Sequence, residues 1–291
     1  TTRNIAKKNF SWDSKLVLSY QWNKVLKLPY NGIAKNRTGG IALGDGTFFG
    51  GIAEGEPLNR FYGYIATGII ETEEQAANAY YDSKSRNPQV GGKRVGDYEW
   101  ADRNGDGQIT DADRFCLGTT VPPFTGGLSN TFRLKNWTLS VYLDWAMGHS
   151  IFDESYSRYF YGTFTNNYAL AKDVLKAWKK PGDKTKYAKF YANDSNWGND
   201  NYNRRATNTF TYKGDYLCIR EITLQYALPA RLFTKVGLKG VTFTLSGNNL
   251  HYFTETQGIS PEQGSATTYD GDVFYNYPPI RRISFGIKLT F

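Results

Sequence analysis

Two cysteines, two histidines and one methionine are the only sulfur and imidazole side chains in this chain of 291 residues. Cys116 and Cys218 are too few, and too far apart in sequence, for a disulfide framework or a paired-cysteine metal site, so free thiols are expected. His149 and His251 lack HExxH-type spacing, which removes that class of zinc hydrolase. There is no GxSxG elbow and no phosphate-binding loop. No apolar run approaches the ~20 residues of a membrane helix. The chain opens at Thr1 without a Met or a signal peptide, which reads as a mature product or a piece of a longer one. Basic side chains give a formal net charge of +8. They are scattered, with no dense run, so a basic surface is expected and no nucleic-acid partner.

Aromatic residues are abundant: 22 Tyr, 18 Phe and 7 Trp, beside 30 Gly. That composition favours pleated, half-buried surfaces joined by turns, and hence an all-β fold. The pattern agrees. In "RRISFGIKLTF", Ile283, Phe285, Ile287, Leu289 and Phe291 alternate with Arg282, Ser284, Gly286, Lys288 and Thr290. In "NWTLSVYLDW", Trp137, Leu139, Val141, Leu143 and Trp145 oppose Thr138, Ser140, Tyr142 and Asp144, and in "VTFTLSGNNL" Val241, Phe243 and Leu245 oppose Thr242, Thr244 and Ser246. "GGLSNTFRL" has the same phase with Asn130 breaking its apolar face. "YLCIREITLQYAL" and "FSWDSKLVLSYQW" are less regular. These make about six strands of period two.

The connections are more telling. Lys135-Asn136 and "PARLFTKVGLKG" are short, whereas the segments at about 23–122, 147–214 and 251–279 are long. Structureless loops beyond about 15 residues are uncommon in compact soluble domains. Antiparallel strands with short turns at one end and long loops at the other are the plan of outer-membrane β-barrels, whose apolar face meets lipid and polar face the lumen. A soluble β-sandwich is the competing architecture. Six strands cannot close a barrel that needs about eight, and open edges are prohibitive in hydrocarbon. The chain is therefore expected to be one arc of a larger barrel, with both ends on the short-turn, periplasmic side. Within the loops, Thr72 and Gln75 of "ETEEQAANAYYDS" predict a capped helix. "ALAKDVLKAWKKPG" predicts a second, with Leu170, Val174, Leu175 and Trp178 on one face.

"DRNGDGQITDAD" (102–113) has the oxygen-donor spacing of a calcium loop. Asp102, Asn104 and Asp106 take positions 1, 3 and 5, Gly107 position 6, the Gln108 carbonyl position 7, Thr110 position 9 and Asp113 position 12. The all-oxygen set suits Ca2+ and neither zinc nor iron. With no flanking helices, the ion would brace a surface loop. The plain alternative is an Asp/Asn/Gly-rich turn. Carboxylates such as Asp153, Glu154 and Glu221 have the chemistry to pair as in a glycosidase, but solvated carboxylates are the default reading, so no enzyme is expected. The tyrosines of "YSRYFYGTF" (156–164) suit loop packing more than ligand stacking.

Taken together, six segments resemble the C-terminal part of a SusC/RagA-like TonB-dependent outer-membrane transporter. "FYGYIATGIIETEEQ" is similar to that family's FYGY-x-x-x-G-I-F-x-T-x-E segment, and "DRNGDGQITDADRFCLGTTVPPFTGGLSNTF" to its D-x-N-G-D-G-x-I-x-x-x-D-x-x-x-x-G-x-x-x-P run into a strand. "AWKKPGDKTKYAKF" resembles W-T-P-E-N-P-x-T-x-Y-P, with Lys179 and Lys180 in place of Thr-Pro. "YLCIREITLQYALP", "SGNNLHYFTETQGISPE" and "YPPIRRISFGIKLTF" resemble the family's last three strand segments. The resemblance implies a barrel of about 22 strands closed by an N-terminal plug, of which residues 1–291 are the C-terminal barrel portion and the plug is absent. It implies import of a glycan or a peptide through the outer membrane of a Gram-negative, Bacteroidetes-like bacterium. A SusD-like surface lipoprotein would be the partner and TonB–ExbB–ExbD the driver, acting through the absent part. It also makes Phe285, Ile287, Leu289 and the terminal aromatic Phe291 a signal for the barrel-assembly machinery, and outer-membrane lipid the solvent of the apolar face. The alternative is a calcium-braced cell-surface β-domain for binding or adhesion.

Overall fold

The computed structural model describes residues 1–39, 41–42, 48–49, 51–82, 93–153, 156, 171–190, 207–233, 237–256, 259–262 and 279–291. Its frame is a seven-stranded antiparallel sheet in which each strand pairs with the next in sequence. The strands are β1 (Thr2–Lys7), β2 (Phe10–Tyr20), β3 (Phe124–Leu134), β4 (Trp137–Met147), β5 (Tyr216–Ala227), β6 (Gly240–Thr254) and β7 (Arg282–Thr290). Six were expected. The seventh, β1, carries little alternation in "TRNIAK" and is bulged between Arg3 and Ile5. Its presence also reverses the expected parity. β1 runs toward the same end as the turn at Lys8-Asn9, so the first strand starts on the long-loop side.

Period two places opposite residues of neighbouring strands on one face. One row runs Trp12, Phe132, Leu139, Leu224, Leu245, Phe285 across six strands. The row one residue over runs Asp13, Thr131, Ser140, Thr223, Ser246, Ser284. The apolar face is bare: Leu16, Leu18, Leu245, Ile283, Phe285, Ile287, Leu289 and Phe291 are all exposed. Toward the short turns the apolar face carries aromatics. Trp12 stacks on Phe132 and Trp137 packs on Tyr226, with centroids 5.6 and 4.4 Å apart. A small soluble domain would bury such a face; here the buried core lies elsewhere.

That core belongs to the long loops. The first two, between β2 and β3 and between β4 and β5, share one cluster containing Phe61, Tyr64, Tyr98, Trp100, Ile109, Phe152, Tyr187 and Phe210. Short strands lace it together: Arg60–Gly63 pairs with Phe115–Thr119, Ala66–Ile69 with Tyr98–Trp100, and Ser150–Phe152 with Thr211–Lys213. The expected helix forms over Glu73–Asn78, its N-terminal end tied by the reciprocal Thr72–Gln75 capping box. The second expected helix does not form. Only a 3-10 turn, Lys172–Lys176, is present. Val174 and Ala177, three apart, meet the core, while Leu175 points outward at 70% exposure. Trp178 then donates its N–H to the Tyr187 carbonyl, and this extended pairing takes the place of a further helical turn. Leu170 lies outside the described residues. Among the described residues no helix is long and apolar enough to cross a membrane.

Candidate functional site

The polar face of the sheet carries its strongest side-chain network where β4, β5 and β6 approach the loops. Its centre is Arg220, the extra residue of a bulge in β5. The guanidinium grips Asp144 of β4 through two hydrogen bonds of 2.8 and 2.7 Å. It also donates to Asn249 Oδ1 at 2.9 Å, to the Tyr252 hydroxyl at 3.1 Å, and to Glu262 of the third loop. Tyr252 in turn donates to Glu262 at 3.1 Å. Asn249 has φ +50° and sits at the irregularity opposite the Arg220 bulge. Bulges re-aim side chains, and here two of them face each other to bring Arg220 and Asn249 together. Every side of the guanidinium is engaged, so this is an anchor for a loop, not an open anion site. Beside it lies a cavity of about 480 Å3 whose walls include Tyr252, Thr254, Ser260, Pro261 and Arg281. His149, buried at the foot of the second loop, meets the Pro261 carbonyl through Nε2 at 3.1 Å. The third loop is thereby fastened at two adjacent residues, Pro261 and Glu262.

The carboxylate-rich turn sits in the loop layer. Asp102 accepts from the N–H groups of Gly105 (2.7 Å) and Gly107 (2.9 Å), and Asp106 accepts from Gln108 at 2.8 Å. Asn104 donates to Asp106 at 2.9 Å. Burial alone would raise the Asp102 carboxyl, but the N–H groups of Gly107, Gly105, Asp106 and Asn104 outweigh it and hold it below the ordinary carboxylate range. Gln108 and Ile109 form a two-residue strand parallel to Tyr81–Asp82, and Ile109 is buried in the loop core. Asp113 is fully buried and accepts from the main chain of Arg103 at 2.9 Å and of Thr110 at 2.7 Å. It closes a capping box with Thr110, a role that the Thr-x-x-Asp spacing signals and that a metal reading alone overlooks. Donor type therefore suits calcium. The carboxylates themselves are held by main-chain N–H groups, and among the described residues no three His, Cys, Asp or Glu side chains gather around one point.

The remaining candidates separate. Asp153 is buried in the loop layer, accepting the Tyr156 N–H at 2.8 Å, and burial pushes its carboxyl up to about 6. Glu221 lies on β5 and accepts from Thr223 at 2.7 Å, while Glu154 lies outside the described residues. Both cysteines are free, Cys116 exposed and Cys218 buried. Phe285, Ile287, Leu289 and Phe291 are exposed along the apolar face of the last strand, which forms the far edge of the sheet. Of "YSRYFYGTF", only Tyr156 is described; it packs on the loop core, 6.2 Å from Phe210.

No family profile matches the chain. Curated relatives do. It is 27% identical over its whole length to TonB-dependent receptor P3 of Formosa agariphila, and 27% identical to receptors P26 and P39 of the same organism. The chain spans 28% of the length of the first two. Among solved structures, a chain of the RagAB peptide transporter superimposes with a TM-score of 0.66 at 18% identity, over 99% of this chain and 28% of that one. The same protein in an "open-open" state gives 0.66 at 20% identity.

Proposed function

We propose, from a chain related throughout its length to part of TonB-dependent receptors and folded like part of a RagA-like barrel, that it forms wall and outer loops of an outer-membrane importer. The observation that supports this most is the sheet itself. One face is apolar and bare, the other polar, and both outer strands have open edges that only further strands of a barrel can satisfy in lipid. On this reading the chain is the C-terminal barrel portion. The plug and the segment that contacts TonB belong to the part of such receptors it does not match. The loop layer faces outward, under a SusD-like lipoprotein, and the cargo is a glycan or a peptide in a Bacteroidetes-like bacterium. The test is uptake by the native strain of labelled oligosaccharides and peptides, with the whole receptor deleted, restored, or restored in a strain lacking TonB. TonB-dependent uptake and co-purification of a lipoprotein are expected. Uptake indifferent to both deletions would sink the reading.

Two finer parts of the proposal have their own tests. Phe291, with Leu289, Ile287 and Phe285, presents the barrel-assembly signal, so deleting Phe291 lowers the folded receptor in outer membranes while transcript is unchanged. Calcium held by Asp102, Asn104, Asp106, the Gln108 carbonyl and Asp113 stiffens the loop, which the all-oxygen donor set supports. Loop resistance to protease is then higher in calcium than in chelator, and Asp102→Ala with Asp106→Ala abolishes the difference. Equal resistance in both conditions removes the ion from the account.

A further inference from the structure

One strand edge in the loop layer is only partly used. The strand Ala66–Ile69 pairs on one side with Tyr98–Trp100. The bonds Ala101 N–H to Ile65 O (2.9 Å) and Ile70 N–H to Asp97 O (2.9 Å) show that Ala66 and Ile69 are both in non-hydrogen-bonded pairs. Their own N–H and C=O groups therefore point away from that partner, to the outer edge.

The chain itself shows what this edge accepts. At Tyr64 it takes a parallel bridge from Thr207, with Asn208 N–H donating to the Tyr64 carbonyl at 3.1 Å. At Ala66 the occupant is a side chain. Asn208 accepts the Ala66 N–H through Oδ1 at 2.9 Å and donates through Nδ2 to the Ala66 carbonyl at 3.3 Å. A carboxamide offering one acceptor and one donor to the same residue reproduces the pairing of a peptide unit. The chain then turns away into the short 3-10 segment Asn208–Phe210. Among the described residues nothing pairs with the outward groups of Ile69.

This edge opens on a cavity of about 430 Å3, walled by Ala66–Ile69, Tyr98, Lys186, Asn208, Tyr212 and neighbouring threonines. That volume is in the range of binding pockets. Among the described residues lining it, Lys186 brings the one cation. Its ammonium lies 5.2 and 5.3 Å from the ring centres of Tyr187 and Tyr212, and it has no carboxylate within ion-pair distance among the described residues. Glu71 and Asp183 also line the cavity, each already accepting main-chain N–H groups.

We propose that the outer edge of Ala66–Ile69 binds the main chain of an extended peptide, which pairs with Ile69 and displaces the Asn208 carboxamide from Ala66. Lys186 receives a carboxylate of that peptide. The site rests on the import reading and narrows its cargo, at this surface, to peptides. Strand addition of this kind draws affinity from backbone bonds and tolerates varied side chains.

The test uses the whole receptor in detergent and a hexapeptide of alternating Ser and Val with a free C-terminus. Two comparison probes are the same peptide N-methylated at alternate residues and maltohexaose. Hydrogen exchange over residues 66–70 is expected to slow with the plain peptide and not with either comparison probe. N-methylation is expected to weaken binding on the order of tenfold or more, as several backbone bonds are lost. Asn208→Ala is expected to tighten binding on the order of five- to a hundredfold, because it removes an internal competitor that makes two hydrogen bonds. Lys186→Met weakens the free-acid peptide but not its C-terminal amide. Equal binding of the N-methylated peptide overturns the proposal, as does protection by maltohexaose alone, which would make this a carbohydrate site. Unchanged or weaker binding in Asn208→Ala overturns the displacement. TonB-dependent uptake that persists without protection at Ile69 sinks this site only; loss of that dependence sinks the import reading.

Discussion

Leu16 and Val17 are adjacent, equally exposed at 55% and 53%, and on opposite faces near the middle of the 11-residue strand β2. Leu16 stands opposite Leu128 on the apolar face and Val17 opposite Gly127 on the polar one. If the apolar face meets lipid, Leu16→Arg places a guanidinium near the bilayer midplane, at a cost of about 2–4 kcal/mol. Val17→Arg places the same group toward the lumen, where water or polar neighbours hydrate it, and costs a few tenths. The gap corresponds to a change on the order of a hundredfold in the folded-to-unfolded ratio. If instead both faces met water, each substitution would fall within about 0.5 kcal/mol, as exposed substitutions generally do. The assay is urea titration of the whole receptor in phospholipid vesicles, read by the heat-modifiable gel shift, with Leu16→Ala to subtract packing against Leu128. Equal costs at the two positions, or the larger cost at Val17, would refute the assignment of faces.

Three further outcomes follow from the loop layer and the sheet. Gly96 has φ +98°, and an added Cβ would lie 2.6 Å from Lys189 Cβ and 2.8 Å from the Trp178 ring; Gly96→Ala is expected to cost about 1–3 kcal/mol and to speed proteolysis of the loops while the sheet stays folded. Asp153 has its folded carboxyl raised to about 6 from an ordinary 3.8, so stability is lost as pH rises through that interval and the penalty is full above it. Asp153→Asn keeps the acceptor for Tyr156 and is expected to stabilise the loops by about 2–3 kcal/mol at pH 8 and not at all at pH 3, measured by protease susceptibility across pH. Finally, maleimide should label Cys116, which is exposed, and spare Cys218, which is fully buried, until the receptor is unfolded.

What was legible in the sequence was what has a short period. Leu139, Leu224 and Leu245 occupy one face because alternation along each strand survives pairing, so the sheet's two faces can be read one strand at a time. The strand "TRNIAK" was hidden because only Ile5 and Ala6 are apolar and a bulge separates Arg3 from Ile5. The irregular phase of "YLCIREITLQYAL" has a similar cause. Arg220 is the bulged residue, and the break in pattern marks the centre of the Asp144–Arg220–Glu262 network. The loop core was not legible, because Phe61, Tyr98, Tyr187 and Phe210 are brought together from stretches far apart in sequence and share no period. Asp113 reads as position 12 of the calcium-like spacing; the cap it closes with Thr110 rests on the Thr-x-x-Asp spacing, a separate signal in the same stretch.

Asn130 is another exception to the alternation, and it shows how such a sheet tolerates one. It falls on the apolar face between Leu128 and Phe132, where an unpaired amide would cost several kcal/mol in hydrocarbon. Its Oδ1 accepts from Trp12 Nε1 at 2.9 Å and from the Ser14 hydroxyl at 2.6 Å, and Ser14 accepts from Asn4 at 2.6 Å. The donors come from β1 and β2, so the Asn130 side-chain carbonyl oxygen, the Trp12 indole N–H and the Ser14 hydroxyl are tied together across three neighbouring strands. The arrangement also locks register: a slip of one residue between β2 and β3 would carry Trp12 to the opposite face from Asn130 and strand both groups. Arg220, on β5, does the equivalent on the polar face, where its partners lie on β4, β6 and the third loop. In both places the residue that interrupts the two-residue period is the one whose hydrogen bonds hold separate strands in a single alignment.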